Sequence, residues 1–158
     1  MALQATAPFT ELYENDETAW LETMAELIAE GRPEDLDLVH LREYLTDMAK
    51  RDRHEVEGRL KVLLTHLLKW NVQTGHRSNS WRGIIELQQM ELTEDAGKGV
   101  LNDHLVSKVS DVYARAIIHA SCETGLPQDA FPRKCSYTLN QLLNPDLLAG
   151  WSLRLTDD

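Results

Sequence analysis

The chain has 158 residues, 42% of them hydrophobic and 27% charged, the proportions of a soluble globular protein and not of a disordered one. Its net charge of −10 repels phosphate backbones and anionic lipid, so neither a nucleic-acid partner nor a membrane-surface partner is expected. The acidity is uneven: residues 1–60 hold 15 acidic and 6 basic side chains, whereas residues 61–158 hold 11 and 10.

No apolar run approaches the roughly 20 residues of a bilayer span. The opening segment Met1–Pro8 has no basic stretch ahead of an apolar one, so a cytoplasmic protein without a secretory signal is expected. Cys122 and Cys135 are too few for a disulfide framework and read as reduced thiols. With no repeat or long linker, one helical domain is expected over 1–158, its core about 15–145, with 1–14 and 146–158 as terminal extensions.

In chain order, a first helix is predicted to start at Asn15-Asp16-Glu17, capped by Asn15, with Trp20, Met24, Leu27 and Ile28 at helical spacing and Gly31 as its stop. Pro33–Leu36 reads as a turn, and Asp37 caps a long spine helix. Along that helix Leu38, Leu41, Leu45, Met48, Val56, Leu60, Leu63 and Leu67 share one face. Apolar residues thin out from Lys50 to Arg53, where a break is one option. Gly75 ends the spine. A third helix starts around Ser78–Ser80 and carries Trp81, Ile84, Ile85, Gln88 and Leu92. Ala96–Gly99 forms a loop, and a fourth helix carries Leu101, Leu105, Val109, Val112, Ala116 and Ala120. Gly125 and Pro127 end it. Thr138 and Gln141 match a capping box for one short helix, stopped at Asn144-Pro145. No segment alternates with period two, so the chain reads as all-α: an antiparallel helical bundle of about four principal helices with one long spine helix and a C-terminal extension.

The polar residues on the spine are the candidates for a site. Asp52, Arg59 and His66 recur every seven residues, a column with about 10 Å between members. Glu55 lies one turn before Arg59, and Trp70 one turn after His66. Charges in a bundle need partners, and Arg77 and Arg82 are the expected ones. One reading is a polar pocket in which Arg59, Arg77 and Arg82 bind an anionic group, His66 handles a proton and Trp70 or Trp81 forms a wall. The other is a salt-bridge layer that fixes helix register, with His66 bonded to a backbone carbonyl. Ser80 reads as an N-cap or hydroxyl donor, since no nucleophile elbow surrounds it. His119-x-x-Cys122-Glu123 lacks the paired spacing of a zinc site, so no metal and no cofactor are expected. Trp20, Trp70 and Trp81 read as core. Trp151 lies in an apolar tail, Gly150–Leu155, that would pack on its own domain or on a partner.

The chain also resembles a bacterial family catalogued as domain of unknown function 29. The marks are Ala19-Trp20, Gly31-Arg32 with Leu36-Asp37, Arg59-Leu60 running into His66-Leu-Leu-Lys69-Trp70, Arg77-Ser78 and Ser80-Trp81-Arg82. They continue through Glu123–Pro127, Phe131-Pro132, Cys135 and Tyr137-Thr138. The chain departs from the family pattern at His40, where an amide is usual, at Thr74-Gly75 in place of a proline-containing turn, and at Ser136 in place of a proline. The resemblance implies a helical fold and a bacterial origin, and no activity, cofactor or catalytic residue. With no catalytic motif recognisable, the expected function is a non-enzymatic protein-interaction module with a protein partner or a second copy, a homodimer being one form. The alternative is a small-molecule-binding, anion-binding or hydrolytic protein using Arg59, His66 and Arg77.

Overall fold

The computed structural model describes residues 7–151, with Ala7, Gly150 and Trp151 described in backbone only. Among these residues there are six α-helices and no strand, so the all-helical reading holds. They fall into two compact units, one ending at Arg51 and one beginning at Asp52, and the apolar residues likewise form two clusters.

The first unit contains α1 (Ala7–Asn15), α2 (Glu17–Ala29) and the first part of α3 (Leu38–Val72). Helix α1 was not foreseen, because residues 1–14 read as an extension. Its Phe9, Leu12 and Tyr13 fall on one side and pack on the cluster of Trp20, Met24 and Leu27. The α2 cap is also one residue later than expected. Asp16 accepts from the Ala19 amide at 3.0 Å, whereas Asn15 donates back to the Glu11 carbonyl and closes α1. Gly31 takes the left-handed conformation that stops α2, at φ 69°. Ile28, expected inside, is 60% exposed.

Pro33–Asp35 form a 3-10 turn, and Asp37 caps α3 as read from the sequence, accepting from the His40 amide at 3.4 Å. Its carboxylate does more than cap. Oδ2 also accepts from Trp20 Nε1 at 3.1 Å and from His40 Nδ1 at 2.7 Å, and the side chain is fully buried. His40 thus supplies the donor that a side-chain amide would supply, and Tyr13 stacks on its ring with centroids 4.4 Å apart.

Helix α3 runs unbroken for 35 residues, without an interruption at Lys50–Arg53. Its apolar face is fully buried only in the second half; in the first half Leu41 packs on the Trp20 cluster and Met48 is half-buried. Val56, Leu60, Leu63 and Leu67 are buried, but Leu38 is 43% and Leu45 64% exposed.

The second unit packs the rest of α3 with α4 (Asn79–Ala96), α5 (Gly99–Thr124) and α6 (Leu139–Leu142). Ile85, Leu92, Ala96, Leu105, Val112 and Ala116 join the α3 leucines in one core, each fully buried. Ser78, not Ser80, caps α4, accepting from the Trp81 amide at 3.2 Å. Gln88 is half-buried, and its neighbour Gln89 is buried. Gln89 Nε2 donates to the Leu142 and Asn144 carbonyls at 2.8 and 3.0 Å and ties α6 to α4. Gly125 is left-handed at φ 72°, which ends α5 as expected. The Thr138–Gln141 capping box is formed in both directions. A 3-10 turn follows over Pro145–Trp151; residues 152–158 and the side chain of Trp151, on which the expected apolar tail depends, lie outside the described residues.

Candidate functional site

The nine side chains nominated from the sequence divide between two clusters. Each is built by a neighbouring helix that the sequence could not align with α3.

The first cluster centres on Arg59. Its Nη2 meets Glu55 at 3.0 Å and Glu91 at 3.6 Å, and its Nε lies 3.8 Å from Asp95. Glu91 and Asp95 are one turn apart on α4, so both reach the same guanidinium. The expected partners, Arg77 and Arg82, are not there. Asp52, expected at the centre of the apolar stripe, is exposed at the rim of a cleft of about 350 Å³ that Glu55, Arg59, Glu91 and Asp95 also line. One guanidinium among four carboxylates gives a net negative field, which disfavours an anion.

The second cluster gathers where α3 ends and α4 begins. Lys69 is buried on α3, and its Nζ donates to Glu123 of α5 at 2.8 Å while lying 4.6 Å from the Trp81 ring centre. Arg77 donates from Nε to the Trp70 carbonyl at 2.6 Å, with its guanidinium 5.2 Å from the Trp70 ring centre. Arg82 sits one residue past Trp81 but pairs with Glu86 at 2.8 Å. Ser80 is exposed. Fourteen residues of α4, about 21 Å, separate Trp81 from Asp95. Arg59 and the Arg77–Trp81 group therefore belong to different ends of that helix.

His66 is half-buried in the second cluster, and its Nδ1 donates to the Val62 carbonyl at 2.9 Å. Burial, helped by the charge of Lys69, holds its pKa below the ordinary value of 6.5 against the pull of Val62 and Glu123. The hydrogen bond from Lys69 holds Glu123 low in turn, against its partial burial. The unfolded chain takes up a proton on His66 before the folded chain does. The stability due to neutral His66 is therefore complete above about pH 6.5 and is lost as pH falls toward the folded value. Urea unfolding midpoints should drop between about pH 7 and about pH 5, ahead of the carboxylates. His66→Asn, which keeps a donor and cannot titrate, should reduce that drop; an unchanged drop contradicts this account of His66.

Lys69, Glu91, Asp95 and Glu123 were missed as site residues. Lys69 and Glu123 stand inside stretches that carried the family resemblance, and Glu91 and Asp95 show the helical i,i+4 spacing. A further bridge was also missed. Glu57 of α3 accepts from His104 Nε2 at 2.7 Å and from Arg115 at 2.9 Å, both on α5. Burial alone would raise the Glu57 carboxyl, but these two donors more than offset it and hold it below the usual range.

The described ion pairs join α3 to α4 and α5 at several levels. Among the described residues no group of three or more His, Cys, Asp or Glu is arranged to hold a metal ion. His119 pairs with Glu123 at 3.5 Å, Cys122 is exposed, and Cys135 donates to the Tyr137 carbonyl.

A family model described as a domain of unknown function, DUF29, matches residues 12–148, so the chain belongs to that family. No curated protein and no solved structure matches it. No described helix is long and apolar enough to cross a membrane.

Proposed function

We propose that this member of the DUF29 family is a non-enzymatic protein-interaction module whose contact surface is the exposed strip through Leu38 and Leu45 on the first half of α3. The observation that carries the reading is the contrast along one helix face. Leu63 is fully buried, while Leu45, eighteen residues earlier on the same stripe, is 64% exposed. Exposed leucines at heptad spacing are the sequence of a helix that receives another helix. The anion-binding alternative has less beneath it. Arg59 is engaged by three carboxylates, Arg77 by the Trp70 backbone and ring, and Arg82 by Glu86, so each cation already has protein partners.

A photo-crosslinking amino acid placed at Leu45 of the full chain, in producing cells, should give a discrete crosslinked protein species. The same group at exposed Glu94 should give none. The proposal is overturned if Leu45 yields no crosslink, or no more than Glu94 does.

A further inference from the structure

We infer that the partner of this stripe is a second copy of the chain, paired antiparallel through α3; the inference rests on the interaction-module reading above. Leu38, Arg42, Leu45, Ala49 and Asp52 follow one another at spacings of four, three, four and three. That is the 3.5-residue repeat of a two-helix seam, and all five side chains are exposed. The next position of the repeat, Val56, is 2% exposed, so the seam ends where α3 enters its own core.

Charge sets the direction. In a parallel pair Arg42 would face Arg42 and Asp52 would face Asp52, a repulsive arrangement at both ends. In an antiparallel pair with its two-fold axis beside Asp47, Arg42 faces the second copy's Asp52, and the axis repeats the contact. The same register sets Leu45 against the second copy's Ala49, so a large residue meets a small one in both central layers. Four consecutive layers are thus complementary in charge or in size, and Leu38, which this register sets against the buried Val56, lies outside the paired stretch. Among the described residues no ion pair within the chain engages Arg42 or Asp52. They are ten residues apart on one helix, about 15 Å, too far to meet each other. A polar residue at a seam position costs affinity and specifies register, which fits a pair that must form in one orientation.

A seam of about 15 Å falls below the standard interface size, so the dimer is weak, with a dissociation constant on the order of tens of micromolar. Sedimentation of the full chain from about 1 to about 300 μM should therefore show the mean mass rising from 18.0 kDa toward twice that value. Arg42→Asp and Asp52→Arg, each placing like charges across both outer layers, should weaken the dimer at least about tenfold. The double variant Arg42→Asp with Asp52→Arg rebuilds both cross pairs, and its constant should return to within about threefold of the parent. Because the two positions cannot touch within one chain, such rescue has no source other than a second copy. Circular dichroism checks that all three variants keep the parent's helix content. Failure of the double variant to recover, or a parent that stays at 18.0 kDa throughout, overturns the self-pairing. A Leu45 crosslink to a different protein would then leave the interaction-module reading standing, whereas no crosslink at all would remove both.

Discussion

Asp37→Ala is expected to destabilise the unit ending at Arg51 by about 3–5 kcal/mol, the sum of two buried donors left without an acceptor, at about 1–3 kcal/mol each, and a lost N-cap of about 1 kcal/mol. The carboxylate is fully buried and accepts from the Trp20 indole, the His40 ring and the His40 amide. Without it two side-chain donors in the interior lose their acceptor, and α3 loses its N-cap. Met24 lies against the same place, with its sulfur 3.3 Å from the Asp37 amide, so alanine also leaves a void beside Trp20. Hydrogen exchange should report this regionally. Amides of α2 and the first turns of α3 should exchange about a hundredfold faster or more, while those of α4 and α5 change little. Asp37→Asn, which keeps an acceptor, should cost distinctly less. Equal effects of the two substitutions, or a uniform change across both units, would contradict the role assigned to the carboxylate.

Leu63→Ala should cost about 2–5 kcal/mol, the range for truncating a fully enclosed leucine. Leu63 has no exposed surface and lies in the core shared by α3, α4 and α5. The informative comparison is Leu45→Ala on the same helix face. Leu45 is 64% exposed, so its truncation should fall within about 0.5 kcal/mol. Urea denaturation of the two variants at a concentration too low for self-association measures both. A large loss at Leu45 would mean that its stripe is already covered within one chain, and the docking surface would disappear with that result.

Features written in neighbouring residues were legible in the sequence. Gly31, Asp37, Gly125 and the Thr138–Gln141 box each act through a backbone group within four residues, and each acts as read. Asn15 and Ser80 are not the caps, because Asp16, one residue later, and Ser78, two residues earlier, accept from the Ala19 and Trp81 amides and set where the helices start. Helix α1 was missed because its Phe9, Leu12 and Tyr13 gain a helical face only once Trp20 supplies something to pack on. The partners of the nominated residues were not legible in the sequence. Asp52, Arg59 and His66 recur every seven residues on α3 but fall in two clusters, because Arg59 is matched by Glu91 and Asp95, and Lys69 by Glu123, side chains on helices whose register against α3 is a tertiary property. The periodicity likewise gave the stripe from Leu38 to Leu67 without distinguishing its fully buried half from the half where Leu38 and Leu45 are exposed, since both halves carry the same residue types.

Native mass spectrometry of the full chain, purified without denaturation, tests most directly whether this protein works through its surface or through a pocket. The account predicts masses at 18.0 kDa and at twice that value, with the larger species growing with concentration and diminished by Arg42→Asp. A single 18.0 kDa species carrying an additional small mass, lost when Arg59 is changed to alanine, would contradict it. That result would move the function to the cleft beside α4.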